Sequence, residues 1–290
     1  MTALPVSHSR GVLLMLGAMA FFAATDVFIK LNAGTISPAH TTLLLMGGGC
    51  IVFGLMALIE GHSLRDRRAF APILLVRYLC EMAGAFGLVL ALAHAPLPAV
   101  AAIMQAGPLV VTLAGLVFLG ERVRGPQWLA IGVGFFGVLL IIQPWGAGFT
   151  LALVWPVISM LGFAGRDVTT RLTPPGMGSS ALATFTMIAA LPGAVLWCVL
   201  AEGQVLPDRI PLIPTLGMVG CGALAYMLLI AATRSTALSV LAPFRYARLI
   251  FLMVLGLAVF GEWPTPLTVL GAVLIVGSGL FSMGYARRGG

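Results

Sequence analysis

Apolar stretches of about 20 residues, separated by short polar or Pro/Gly-rich breaks, recur along the whole chain, and nothing else constrains its folding as strongly. At about 1.5 Å of rise per residue, each is long enough as a helix to cross roughly 30 Å of hydrocarbon. Composition agrees: 60% of the 290 residues are hydrophobic and 9% are charged, with a mean hydropathy of +1.08. A water-facing shell cannot be built from so few charges. Soluble enzymes, disordered scaffolds, secreted disulfide frameworks and nucleic-acid readers are excluded, the last despite a formal charge of +7. The chain is expected to be an all-α, polytopic membrane protein.

Cutting at the breaks predicts ten spans: 11–29, 39–59, 73–93, 97–119 and 127–142, then 151–170, 180–200, 212–232, 238–260 and 267–285. Cytoplasmic loops carry the excess of lysine and arginine. With the N-terminus inside, Arg10, Arg65, Arg67, Arg68, Arg122, Arg124, Arg166, Arg171, Arg234, Arg287 and Arg288 fall on the cytoplasmic side, and Arg77 just within it. Lys30 and Arg209 fall outside. Both termini are therefore expected in the cytoplasm, and the chain in a plasma (inner) membrane. Cys50, Cys80, Cys198 and Cys221 are dispersed in apolar runs with no metal-like spacing, and read as core hydrophobes. The first run is read as a span, and not as a cleaved leader, because it takes part in an internal repeat.

That repeat is specific. Phe22-Ala23, Asp26-Val27 and Lys30-Leu31 return as Phe163-Ala164, Asp167-Val168 and Arg171-Leu172, each shifted by 141, and the same shift carries Gly120-Glu121 onto Gly261-Glu262. Two units result, residues 11–142 and 151–286. Each holds five spans, an odd number, so the second enters the bilayer from the opposite side. Inverted repeats of this kind build transporter sites at their interface, near the midplane.

Five-helix units whose fourth helix ends in Gly-Glu, as in Leu116 to Arg122 and Leu257 to Glu262, resemble the drug/metabolite transporter superfamily, specifically its EamA-type exporters. The resemblance spans about Gly11 to Tyr285. It implies a ten-helix basket, with the first, third and fourth helices of each unit around a central cavity. Within the superfamily the chain resembles the YddG-like exporters of aromatic and other amino acids. Trp263 stands where the first unit has Arg122, so a role for that cation carries over to the first unit alone.

Enzymology leaves little trace. The acidic pairs Glu60/Asp66 and Glu202/Asp208 are six apart, no His-Glu-x-x-His occurs, and Val276-Gly277-Ser278-Gly279 is no nucleophile elbow. Without a Gly-x-x-x-x-Gly-Lys loop, ATP-driven transport is not expected, nor is any cofactor or metal.

What remains are ionisable residues inside the hydrocarbon, each costing about 2.5–3.5 kcal/mol at a helix centre. Glu81 is placed roughly 12 Å above the start of the third span, and Arg245 and Arg248 roughly 11–16 Å above the start of the ninth. Shared depth makes them a candidate substrate site: arginines for a carboxylate, Glu81 for an ammonium group and for any coupled proton. A buried ion pair that only fixes packing is the alternative. Tyr78, Gln105, Tyr226 and Tyr246 are candidate walls and donors, or simple packing residues. Arg77 reads as snorkelling or as a helix-internal partner of Glu81.

Asp26/Lys30 and Asp167/Arg171 are spaced i, i+4 and read as helix-end pairs or gate latches. Pro108 and Pro243 predict bends or hinges. Gly132, Gly134, Gly137, Gly271, Gly277 and Gly279 predict close helix packing. The leading expectation is a secondary exporter of small metabolites, most of all aromatic or apolar amino acids, working by alternating access. A channel-like facilitator and an intramembrane enzyme or binding protein are the alternatives. The expected partners are a small-molecule substrate and the lipid bilayer, with no nucleic acid; monomer and homodimer both stay open.

Overall fold

The computed structural model describes residues 8–63, 66–119, 125–144, 150–172, 178–235 and 241–287. Gly120-Glu121-Arg122, Arg65 and Arg124 lie outside them, as do the side chains of Arg171 and Arg234. Among the described residues every regular element is helical. These are α1 (His8–Ala33), α2 (Pro38–Ile59), α3 (Pro72–His94), α4 (Leu97–Met104), α5 (Gly107–Leu119) and α6 (Gly125–Ile142) in the first half of the chain. The second half contributes α7 (Val154–Arg171), α8 (Ser179–Glu202), α9 (Leu212–Ser235), α10 (Ala247–Phe260) and α11 (Pro266–Arg287). Seven stretches among the described residues are long and apolar enough to cross a membrane, with shorter apolar helices at Trp128–Ile142 and Pro266–Phe281. Leu13, Ile51, Leu55, Leu79, Leu129, Leu216 and Ile250 are exposed, as a lipid-facing surface requires.

Sequence punctuation explains the boundaries. Ser37 caps α2 by accepting from the His40 N–H at 3.3 Å, with Pro38 at the first helical position. Gly203 and Gly261 end α8 and α10 in left-handed conformation, φ 72° and 66°. The fourth span is broken where a bend was expected. Pro108 has no N–H for the Met104 carbonyl and its ring crowds that turn, so α4 stops and tight i→i+3 bonds follow: Gln105 N–H to Ala102 O (3.1 Å) and Ala106 N–H to Ile103 O (3.0 Å). In the second half Pro243 lies in a 3₁₀ segment, Ala242–Tyr246, that leads into α10.

The most extensive interfaces are α1–α9, α3–α7, α6–α11 and α2–α8. Shifting by 141 turns α1 into α7 and α3 into α9, so the first two interfaces are counterparts, and the other two map onto themselves. The packing therefore obeys a twofold exchange of the halves. Its shared core surrounds α4, whose Leu97 to Ile103 are all buried and pack with Ala23, Leu88, Met160, Leu252 and Ile275.

Glycines set the closest approaches. A Cβ on Gly137 would lie 2.8 Å from the Gly271 carbonyl, and one on Gly162 would lie 2.5 Å from the Gly84 nitrogen. Gly134 and Gly279 are likewise covered, by Leu109 and Tyr246. Gly132 and Gly277 have nothing within 4 Å, so the expected packing role does not extend to them.

Candidate functional site

The intramembrane charges gather in two clusters, each spanning both halves of the chain. On α3 and α7, which run antiparallel, Arg166 donates to Glu81 at 3.0 Å and to Asp167 at 2.7 Å. Its guanidinium lies over the Phe163 ring, 4.8 Å from the centroid. Arg77 comes within 3.6 Å of Glu81 and donates to the hydroxyls of Thr170 (2.9 Å) and, on α8, Thr186 (2.6 Å). Arg77 is thus buried and bonded, a helix-internal partner of Glu81 rather than a snorkelling residue. Two cations and two carboxylates make this cluster neutral. Glu81 and Arg166 keep side-chain exposures of 14% and 27%, so the pair is accessible without being a surface pair.

The second cluster joins α1 to α10. Arg248 donates through Nε (3.2 Å) and Nη2 (2.5 Å) to Asp26, and stacks 5.5 Å from the Phe22 ring centroid. Toward the end of both helices, Lys30 meets Glu262 at 2.6 Å and also donates to the Ala95 carbonyl at 3.0 Å. The other oxygen of Glu262 accepts from the Leu97 N–H at 2.6 Å.

These pairings correct several expectations. Glu81 is bonded to Arg77 and Arg166, and Arg248 to Asp26, so the expected constellation of Glu81 with Arg245 and Arg248 is replaced by two separate sets of ion pairs. Arg245 is exposed in the 3₁₀ segment. Asp26 and Lys30 bond the opposite half instead of each other. Asp167 bonds its neighbour Arg166. For Asp26, Lys30 and Arg248 the physical reason is shared: i, i+4 spacing brings side chains close along one helix, but opposite charges on the facing helix can pair with them in the low-dielectric interior.

The remaining candidates are scattered. Tyr78 is buried against Leu74 and Leu182, and Tyr246 against Gly279; neither hydroxyl has a hydrogen-bond partner among the described residues. Tyr226 donates to the Ser179 carbonyl at 2.9 Å and packs edge-on to Phe53. Gln105 sits half-buried in the break after α4. Sequence reasoning took Arg166 only as an orientation-setting cation, missed Thr170 and Thr186 altogether, and missed Asp26 and Glu262 as inter-half partners. The duplicated Phe-Ala-x-x-Asp pattern was the signal available for the first, because Arg166 is the residue immediately before its second aspartate.

Two clefts flank the α2–α8 pair. One, of about 700 Å³, lies between the α1–α2 and α8–α9 connections and is lined by Thr35, His40, Glu202 and Arg209 among others. The smaller, about 200 Å³, lies at the opposite end beside His62, Asp66 and Arg68. Neither is lined by the residues of the two charge clusters. No group of His, Cys, Asp and Glu among the described residues is arranged to hold a metal.

Comparison with known proteins agrees with this architecture. The EamA-like transporter family model matches residues 9–143 and again 150–284, and the chain belongs to that family. It is 27% identical to a riboflavin transporter of Rhizobium johnstonii over 99% of this chain and 96% of that one. It is 25% identical to an S-adenosylmethionine uptake transporter of Rickettsia conorii over 76% and 74% of the two chains. A pseudopaline exporter of Pseudomonas aeruginosa is 27% identical over 92% and 93%. A protein of known crystal structure shares the fold, with a TM-score of 0.59 and 20% identity over 97% of this chain and 98% of that one. The chain is a multi-pass membrane transporter of small metabolites, and not an enzyme.

Proposed function

We propose that this transporter is a secondary carrier of the bacterial inner membrane that exports zwitterionic, amino-acid-like metabolites by alternating access. In this reading ten spans form two inverted units, residues 11–142 and 151–286, with both termini cytoplasmic. The observation that carries it is the pairing of charge across the halves: Asp26 with Arg248, Lys30 with Glu262, and Glu81 with Arg166. Charges that only stabilised a static bundle could be paired within one half. Pairs placed on the sliding surface between halves can be remade when the halves rock, and a substrate's own charges can take over one side of a pair.

Arg77, Glu81, Arg166 and Asp167 supply the substrate side of the argument. Because the cluster is neutral, it accommodates a net-neutral solute without adding charge to the membrane interior. Arg166 can turn from Glu81 to a carboxylate, using a planar fork suited to that geometry, while Glu81 or Asp167 receives the ammonium group. The amino-acid reading rests on this chemistry; the named relatives carry other solutes.

Counterflow in proteoliposomes tests the proposal. Unlabelled solute on the far side should accelerate uptake of labelled phenylalanine without ATP, and the amino-acid amide should compete poorly. Counterflow with riboflavin but not with amino acids would keep the carrier and discard the substrate class. Flux without acceleration would replace the carrier with a pore.

A further inference from the structure

At the end of α10 one carboxylate ties together three parts of the molecule. Gly261 reverses the chain in left-handed conformation, with its N–H on the Leu257 carbonyl (3.0 Å) and the Glu262 N–H on that of Gly256 (3.1 Å). The reversal leaves Glu262 beside the start of α4. That helix opens Pro96-Leu97-Pro98 and has no side-chain cap of its own, so the Leu97 N–H is an orphan donor at the positive end of a helix. Glu262 accepts from it at 2.6 Å, and with its other oxygen accepts from Lys30 at 2.6 Å. Lys30 completes the ring by donating to the Ala95 carbonyl, and its ammonium lies 5.1 Å from the Phe260 ring centroid. The ends of α1, α10 and the α3–α4 connection are closed over one another by these bonds.

We infer that Glu262 and Lys30 form a latch that keeps this face of the carrier shut, and that the latch must open for solute to cross here. The inference rests on the alternating-access reading above. The carboxylates separate the two pairs: Glu262 retains 23% of its side-chain surface and its partner Lys30 15%, whereas Asp26 retains 3%, although its partner Arg248 retains 25%. Water can replace the lost partners of the outer pair when the face opens, so it can be broken and remade at each cycle. Breaking Asp26 from Arg248 without a substitute partner would strand a buried charge. The outer pair is therefore the element that opens first, and the capped N-terminus of α4 is what it releases.

The test uses the 290-residue chain in oriented vesicles, with a Thr25→Cys reporter on α1, five residues deeper than Lys30, in a background lacking the four native cysteines. Labelling by a membrane-impermeant maleimide should be slow in the parent. Glu262→Gln and Lys30→Met should each raise its rate by about tenfold or more, the effect of losing charge-assisted bonds. The exchange Lys30→Glu with Glu262→Lys restores the ion pair without the Leu97 cap, and should bring the rate partway back. Lys30→Cys with Glu262→Cys, bridged by a reducible bifunctional thiosulfonate long enough to span the lysine–glutamate distance, should block counterflow until the bridge is reduced. Parental labelling rates in both single variants, or full counterflow in protein whose two cysteines are shown to be bridged, would overturn the latch. If the parent shows no counterflow with any solute, the carrier reading fails, while the labelling series still reports whether the pair closes this face.

Discussion

Phe22 with Asp26 and Phe163 with Asp167 occupy equivalent places in the two halves, and each aromatic–carboxylate pair holds a guanidinium, but the arginine arrives from different directions. Around Asp26 it is Arg248, reaching across from α10. Around Asp167 it is Arg166, the preceding residue, which also extends to Glu81 on α3. The shift of 141 shows what was exchanged. The counterpart of Arg248 is Gly107, that of Arg166 is Thr25, and that of Glu81 is Gly222. Where one half carries charge, the other carries a small residue, and a Cβ on Gly222 would lie 3.6 Å from the Thr25 methyl. Burial follows the same division, with Asp26 3% exposed and Asp167 38%. Duplication preserved the cradle, and the source of the cation made one copy a closed inter-half tie and the other an open cluster.

The largest difference should appear in stability. Arg248→Ala leaves Asp26 buried without a cation, which costs about 3–5 kcal/mol. Asp167→Asn leaves Arg166 bonded to Glu81 at a partly exposed site, and should cost about 1 kcal/mol or less. Thermal unfolding of the purified proteins in one detergent measures both, and equal losses would break the comparison. Arg248→Ala combined with Asp26→Asn should recover part of the loss, because the stranded charge is gone. For that reason a transport defect in Arg248→Ala alone would say little about substrate.

Arg166 offers a sharper test of the open copy. It holds two carboxylates at once, a geometry that lysine cannot reproduce. Arg166→Ala should reduce amino-acid counterflow by about tenfold or more, as expected when a charged hydrogen bond to substrate is lost. Arg166→Lys should raise the half-saturating concentration more than it lowers the maximal rate or the amount of folded protein. If Arg166→Lys transports with parental affinity, the cluster is a packing device and the substrate site lies elsewhere.

Much of this was legible in sequence because the bilayer simplifies the problem. A charge within an apolar run stands out by its cost, so Glu81 and Arg248 could be picked without a fold, and the duplicated Asp26 and Asp167 were visible as a repeat. Their partners were not visible. Lys30 and Glu262 are 232 residues apart and Asp26 and Arg248 are 222 apart, and only the packing of one half on the other brings them together. Local spacing suggested Asp26 with Lys30 because i, i+3 and i, i+4 are the neighbour relations that a single helix defines. Arg166 sits five residues before the end of α7, among the cations that set orientation, and nothing in its position alone distinguished a buried bond from a loop charge. Pro108 marked the fourth span for distortion, but whether a proline bends or breaks a helix depends on what surrounds the freed carbonyl.

The smallest effect concerns the aromatic floor of each cradle. Phe22→Leu and Phe163→Leu keep most of the apolar bulk and remove the π face under the cation, worth about 0.5–1 kcal/mol at partly exposed sites. The two should differ for a reason unrelated to the cation: a Cβ on Gly84 would lie 2.7 Å from the Phe163 ring, so α3 rests on that ring and Phe163→Leu also opens a gap at the α3–α7 contact. A double-mutant cycle separates the two contributions. Pairing Phe22→Leu with Arg248→Gln, and Phe163→Leu with Arg166→Gln, should give coupling energies of similar size, about 0.5 kcal/mol, although the single losses are unequal. Coupling confined to the Arg248 copy would mean that only the closed cradle uses its ring as a cation seat, and that the stacking of Arg166 on Phe163 is incidental to the close approach of α3 and α7.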